Sequence, residues 1–309
     1  MPTNPTSKPI HKRSSMYRRP ENPFSGKFTL RDRQILEAIH SHDGILADYQ
    51  IRALFFTGDS QFRLRMRYLF QHGYVARPSY KRRASLNHLM YWLDTKGAEH
   101  VSGLTGTPVT DFVYVKEPRW SQLDHDIAIN DVRIAIAKAC ENDLSNGITL
   151  AEWIPQSEFY SHPDKVDYTD IHGTKKSRYV RPDAFFTLQL TEATHHYLLE
   201  LDMATESNVR FAREKVLPGL AYLKSPVYAR RFGHNTGRFL VVTTNERKLR
   251  NMKHQTELTA GKEAKFFYFT TASHIRRDEI LTKPIWYQGG KDEPMPLIRT
   301  NRNMPTSCQ

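Results

Sequence analysis

The sequence predicts an α+β protein with a small N-terminal domain and a larger C-terminal domain that contains a mixed sheet. Its length of 309 residues exceeds one typical domain. Three helical segments and a hairpin occupy the first third, and the remainder alternates strands with helices. The basic excess is concentrated in the same first third, where residues 1–100 hold 17 Lys and Arg against 8 Asp and Glu. Two domains of different character are therefore expected.

The overall charge balance favours a polyanionic partner. The chain has 45 Lys and Arg against 33 Asp and Glu, a formal net charge of +12. Because cations that neutralise phosphates release counterions, we expect a nucleic acid as partner. The two cysteines, Cys140 and Cys308, are too few for a disulfide framework. The sequence has no long apolar run and no apolar leader, which predicts a soluble, cytoplasmic protein without a membrane partner.

Residues 1–23 combine prolines with cations and lack apolar periodicity, which predicts a disordered basic arm. Two interpretations of this arm stay open. It would either reach along a phosphate backbone or remain a solvated tail or targeting signal.

Residues 24–100 follow the order of a winged helix-turn-helix domain. Apolar stripes predict helices at about residues 29–43, from residue 48, and at 61–72, and a hairpin follows. The third helix is expected to enter the major groove of double-stranded DNA, with the hairpin as a basic wing. The alternative is a solvated charged face on a winged helix that binds protein. The predicted DNA-binding residues are Arg63, Arg65, Arg67, Lys81, Arg82 and Arg83.

The rest of the chain is predicted to contain a linker (101–120), a second domain (121–275) and an irregular tail (276–309). The second domain has the order α-β-β-β-α-β-α-β, typical of a mixed sheet between helices. Asp183 follows Pro182 at the start of one strand. Glu200 and Asp202 share one face of the next strand.

Carboxylates inside apolar strands are costly unless they are paired or bound to a cation. Three convergent carboxylates, Asp183, Glu200 and Asp202, would suit the hard oxygen coordination of Mg²⁺. Glu152 would join this site from its own strand.

The order of elements and these acids resemble the restriction-endonuclease-like, or PD-(D/E)xK, nuclease fold. With the winged helix, the His125-Asp126 pair and Pro182-Asp183, residues 28–270 resemble the bacterial replication-relaxation family of plasmids and mobile elements. The resemblance implies DNA binding during plasmid replication or mobilisation, and a nuclease-like domain. By position, the resemblance assigns the site residues of the family to His125, Asp183, Glu200 and Asp202.

One position departs from the nuclease motif, because Asp202 stands where the lysine belongs. Lys215 on the following helix would supply a relocated cation. Each of the other site residues has a purely structural alternative: His125 would cap its helix, and Asp183 would hold a turn. Tyr222 and Arg213 would be either peripheral helpers of the site or ordinary helix-surface residues, and the second interpretation is favoured.

Other classes of DNA-processing protein are disfavoured. The sequence has no GxxxxGK[ST] phosphate loop, which argues against an ATP-driven motor. His195 and His196 are adjacent, so in a strand their rings point to opposite faces, and no tyrosine accompanies a paired-histidine metal motif. A relaxase with a covalent tyrosine is therefore not expected.

Two functions remain. The favoured one is a DNA-binding accessory or regulatory protein of plasmid or mobile-element replication or mobilisation, with other replication or mobilisation proteins as partners. The other is a Mg²⁺-dependent DNA endonuclease or nickase targeted by the winged helix. Asp202 in place of lysine favours the first, and the three carboxylates favour the second. The DNA site and the formation of a homodimer stay open.

Overall fold

The computed structural model describes residues 17–142, 147–203, 207–275 and 280–299. The chain divides into two compact units, residues 1–118 and 119–309. Helices and strands occur in both units, so the predicted α+β class is confirmed. Across these described ranges, no helix has the length and apolar character needed to cross a membrane.

Unit 1 contains a small antiparallel sheet with helices packed on it. The strand order is β1-β3-β2, with Ile45 opposite Trp92 and Val75 opposite Leu93. In chain order the elements are α1 Leu30–Ser41, β1 Ile45–Ala47, α2 Asp48–Phe55, α3 Asp59–Gln71, β2 Val75–Ala76, α4 Tyr80–Arg83, β3 Met90–Leu93 and α5 Thr95–Thr105.

Local sequence signals explain where α1 begins and which face it buries. The Asp32 carboxylate accepts hydrogen bonds from the backbone N–H of Thr29 at 2.6 Å and from its hydroxyl at 2.8 Å. This interaction satisfies a donor that a helix start leaves unpaired. Ile35, Leu36 and Ile39 recur at helical spacing and are fully buried.

Three expectations for unit 1 need correction. Residues 17–23 are not a free arm, because the Arg19 guanidinium donates to the Phe70 carbonyl at 2.8 Å and pairs with Asp94; residues 1–16 lie outside the described part. Residues 80–83, predicted as the basic tip of a hairpin, form a short helix that the Ser79 hydroxyl caps. The predicted linker begins inside α5, which ends at Gly106 in the left-handed conformation.

Unit 2 is built on a six-stranded mixed sheet of order β11-β10-β9-β8-β7-β4. Neighbouring strands are antiparallel from β4 to β8 and parallel from β8 to β10. The strands are β4 Thr149–Pro155, β5 Asp164–Thr169, β6 Lys175–Val180, β7 Ala184–Gln189, β8 Thr194–Asp202, β9 Arg238–Thr243, β10 Phe267–Thr271 and β11 Tyr287–Gln288, of which β5 and β6 form a separate hairpin.

Helices cover both faces of this sheet. On one face Val132 and Ile136 pack with Phe186 and Leu199, and on the other Val216 packs among Phe185, Leu198 and Val241. The helices are α6 Leu123–Asn142, α7 Gln156–Ser161, α8 Asn208–Phe211, α9 Leu217–Leu223, α10 Pro226–Phe232, α11 Glu246–Ala260 and α12 Ala272–Ile275. The predicted mixed sheet between helices is therefore confirmed.

The predicted irregular tail was wrong where the structure describes it. Residues 280–299 include β11, which pairs with β10, and the fully buried Trp286. The Trp286 indole N–H donates to the Ile280 carbonyl at 2.8 Å, so its burial leaves no unpaired donor. Residues 276–279 and 300–309 of that prediction lie outside the described part.

Candidate functional site

A cavity of about 500 Å³ lies in unit 2 at the carboxyl end of β8. It combines acidic and basic side chains. Five residues singled out in the sequence line it: His125, Asp183, Glu200, Asp202 and Lys215. Gln156 and Tyr160 from α7 also line it. The structure thus brings together residues that are up to 90 positions apart in the chain.

The sheet itself positions the three carboxylates. Asp183 precedes β7, and its N–H donates to the Leu199 carbonyl of β8 at 2.9 Å. Alternation along β8 turns Glu200 and Asp202 to the face opposite Leu199. All three acids are at most 7% exposed. Buried carboxylates need partners, and each of these has its own.

Asp183 has the most extensive set of hydrogen bonds. Its carboxylate accepts from the Gln156 side-chain amide at 2.9 Å and from the Leu201 N–H at 2.6 Å. His125 Nε2 lies 3.3 Å from the same carboxylate. Burial alone would raise the pKa of Asp183, but His125, Lys215 and the Leu201 N–H hold it below its usual value. Asp183 is therefore ionised at neutral pH.

His125 completes a charged pair with Asp183. Burial alone would lower the pKa of His125, but Asp126 and Asp183 outweigh it and raise the pKa to about 10. Asp126 in turn lies 3.2 Å from Arg119. The imidazole is consequently a cation at neutral pH, held between two carboxylates at the start of α6.

Glu200 is paired with Lys215, whose Nζ lies 2.7 Å from the carboxylate and 3.3 Å from the Arg181 carbonyl. Lys215 belongs to a π-helical segment, Ala212–Val216, between α8 and α9. Such segments occur often at functional sites, because the wider turn redirects side chains. The π-helical segment therefore contributes Lys215 to the cavity lining.

Asp202 lies 3.3 Å from Nζ of Lys248, and Lys248 belongs to the first turn of α11. Sequence reasoning missed this lysine and also Gln156. The sequence does contain a signal that Lys248 has an acidic partner, because a cation in the first turn of a helix opposes the helix dipole unless an acid compensates it. Gln156 carries no comparable signal, since nothing in its sequence context points toward Asp183.

The replication-relaxation family model matches residues 36–216, more than half of the chain. The chain belongs to the replication-relaxation family. The match includes α3 of unit 1 and all five predicted cavity residues, whereas Lys248 lies beyond it. Comparisons with curated proteins and with solved structures give no match.

In this replication-relaxation chain the three carboxylates expected to bind Mg²⁺ are paired with cations. Among the described residues, no three His, Cys, Asp or Glu side chains come together as a metal-binding group. A cation already accompanies each carboxylate: His125, Lys215 or Lys248. A divalent ion would therefore have to compete with these cations for the carboxylate oxygens.

The remaining candidates of unit 2 lie outside the cavity lining. Glu152 accepts a hydrogen bond from Thr187 at 3.2 Å, within the β4–β7 pair. The Tyr222 hydroxyl donates to Asp164, and Tyr222 is fully buried, which corrects its interpretation as a surface residue. Arg213 is exposed and lies 3.2 Å from Glu214.

In unit 1 the structure separates the three arginines of α3. Arg63 is 77% exposed, and Arg67 is exposed with its guanidinium 5.1 Å from the Phe24 ring centre. Arg65 instead pairs with the fully buried Asp32 and donates to the Lys27 carbonyl at 2.6 Å. The expected DNA contact by Arg65 conflicts with this geometry, because leaving Asp32 would strand a buried charge.

The wing cations differ in the same way. Lys81 and Arg82 are exposed on α4. Arg83 is half-buried and donates to the Leu86 carbonyl, closing the loop after α4. Of the six predicted DNA-binding cations, Arg63, Arg67, Lys81 and Arg82 are thus exposed.

Proposed function

We propose that this chain is a DNA-binding accessory or regulatory protein of plasmid or mobile-element replication or mobilisation, and that unit 1 is its winged helix-turn-helix domain. Family membership supports the replication context. The observation that carries DNA binding is the exposed face of α3, which presents Arg63 and Arg67 while its other side is buried.

The element order of unit 1 supports the winged-helix assignment. Helix α1, strand β1, helices α2 and α3, and then β2 and β3 follow each other, and β1 joins the hairpin strands in one sheet. In such domains the third helix enters the major groove and the hairpin lies against the backbone. The segment at residues 80–83 occupies the wing position here.

The exposed surface of α3 offers both readout chemistries of the major groove. Arginine donates two parallel hydrogen bonds to guanine, and an apolar side chain contacts the methyl group of thymine. Arg63 and Arg67 lie one helical turn apart, and Leu64, 47% exposed, lies beside them. This role explains a large apolar side chain that the core does not use.

Binding of a labelled duplex by the full chain tests the proposal. Arg63→Ala with Arg67→Ala should weaken binding by about thirtyfold to ten-thousandfold, because each of the two contacts contributes about 1–3 kcal/mol. Arg33→Ala is the matched control, since Arg33 is an exposed arginine on α1 whose pair with Glu37, four residues later, resembles that of Arg63 with Asp59. An unchanged affinity in the double variant, or an equal loss in the control, would exclude α3 as the DNA-contacting element.

A second candidate function is a Mg²⁺-dependent endonuclease or nickase in unit 2. The observation that favours it is the presence of Asp183, Glu200 and Lys215 in one cavity. The order of helix α6, the antiparallel strands β4, β7 and β8, and strand β9, which is parallel to β8, also supports a restriction-endonuclease-like fold. The ion pairs of all three carboxylates favour the non-enzymatic role.

Incubation with supercoiled plasmid distinguishes the two candidates. The non-enzymatic role predicts intact plasmid with Mg²⁺, with Mn²⁺ and with EDTA alike. Nicking that requires metal, and that Glu200→Gln abolishes while duplex binding persists, would establish the nuclease instead. Glu200→Gln keeps the side-chain size and removes only the charge that Lys215 accompanies.

A further inference from the structure

The surface of unit 2 beside the cavity carries a row of alternating cations and aromatic rings: Lys165, Tyr179, Arg181 and Tyr160, hereafter the aromatic–cation row. Lys165 and Tyr179 are paired opposite each other in the β5–β6 hairpin. Arg181 lies two residues beyond Tyr179, and Tyr160 belongs to α7.

The members of the row contact one another through ring faces. Lys165 Nζ lies 5.9 Å from the centre of the Tyr179 ring. The Arg181 guanidinium carbon lies 5.5 Å from the Tyr179 ring centre and 5.1 Å from that of Tyr160. Such distances are those of cation–π pairs, which keep rings and cations side by side.

Burial sets these tyrosines apart from others in unit 2. Tyr160 is 48% exposed and Tyr179 is 51% exposed, whereas Tyr222 and Tyr228 are fully buried. Lys165 and Arg181 are exposed as well. The row therefore presents aromatic surface and positive charge to solvent together, although the hairpin buries other residues, such as Val166, in the core.

Nearby acids only partly offset this charge. Asp164 lies 3.1 Å from Arg231, and Asp170 lies 2.6 Å from Lys176. Two further acids, Asp167 on β5 and Glu158 on α7, are exposed near the row. The row itself contains two cations and no acid.

The row leads to the cavity by two connections. Tyr160 belongs to the row and also lines the cavity. The Arg181 carbonyl accepts a hydrogen bond from Lys215, which pairs with Glu200 inside the cavity. A linear ligand lying along the row would therefore reach the cavity mouth.

We propose that the aromatic–cation row binds single-stranded DNA, with bases stacked on Tyr179 and Tyr160 and phosphates beside Lys165 and Arg181. Proteins bind unpaired strands by combining a basic track with exposed rings, because every base offers a face for stacking. A duplex keeps its base faces stacked inside and cannot use the rings in this way. The row thus complements an unpaired strand, and it is independent of the duplex contact proposed for unit 1.

Fluorescence anisotropy with the full chain tests this proposal, using a labelled oligothymidine strand and, separately, a labelled duplex. Tyr160→Ala with Tyr179→Ala should weaken oligothymidine binding by tenfold or more, as expected from the loss of two stacking platforms. Tyr160→Phe with Tyr179→Phe should retain binding, since the rings remain. Duplex affinity should stay unchanged in both double variants.

A matched control removes a similar cation elsewhere on unit 2. Lys265 is exposed, lies 5.4 Å from the Phe266 ring centre, and precedes the amino end of β10. Arg181→Ala should weaken oligothymidine binding, and Lys265→Ala should not. Wild-type protein that fails to bind oligothymidine, or an alanine double variant that binds it normally, would overturn the proposal. Equal losses from Arg63→Ala with Arg67→Ala would also overturn it, by assigning the strand to unit 1.

Discussion

Cations in the two units have opposite surroundings. On α3 of unit 1, Arg63 and Arg67 are exposed, and Asp59, 3.7 Å from Arg63, is exposed as well. In unit 2, His125 and Lys215 of the cavity lining, and Lys248 beside Asp202, each accompany a buried carboxylate. A cation that pairs with a buried carboxylate cannot bind a partner without leaving that carboxylate buried and unpaired. An exposed cation can bind a partner without this cost. The number of cations in a domain therefore predicts DNA binding less well than the acids with which those cations pair.

The same contrast exists within α3, and it predicts the largest effect. Arg65→Ala should lower the free energy of unfolding by about 3–5 kcal/mol, because Asp32 would remain buried without its cation. Arg63→Ala should change it by less than about 0.5 kcal/mol, as is usual for an exposed residue. Urea unfolding of the two variants measures the difference. Equal stabilities would show that the Arg65–Asp32 pair is not what holds α1 and α3 together.

Some of these features were accessible to sequence reasoning because they depend on short-range periodicity. Strand alternation places Glu200 and Asp202 on one face, and Pro182 marks the start of the strand that follows Asp183. Helical spacing likewise puts Arg63 and Arg67 on one side of α3. Such inferences need only the local backbone geometry.

The features that escaped depend on contacts between distant segments. Arg65 is indistinguishable from its neighbours until Asp32, 33 residues earlier, is known to be buried beside it. Strand β5 was missed because its exposed residues are polar and only Val166 is fully buried. The buried Trp286 lies in a stretch that has no repeating apolar pattern. Tertiary packing decides each of these cases.

The charged His125 in the cavity of unit 2 is expected to have a smaller effect on the free energy of unfolding, and this effect depends on pH. A raised pKa means that charged His125 contributes stability in full below about pH 6.5, its unfolded value, and loses this contribution as pH rises toward 10. Wild-type protein should therefore lose more unfolding free energy than His125→Gln across this window, by on the order of 1–3 kcal/mol.

Thermal or urea unfolding of both proteins at several pH values checks this difference. The comparison with His125→Gln cancels the titration of groups that the two proteins share. Parallel stability curves from pH 6.5 to 10 would mean that the 3.3 Å contact between His125 and Asp183 does not stabilise the fold.

Duplex DNA is proposed to bind unit 1, and hydrogen exchange of the full chain with and without a bound duplex tests this most directly. Protection on binding should appear in peptides covering α3 and α4, residues 59–83, because these carry the exposed cations. Peptides covering the cavity strands β7 and β8 should exchange as they do in the free protein. Protection confined to unit 2, with residues 59–83 unchanged, would contradict the assignment of duplex binding to the winged helix.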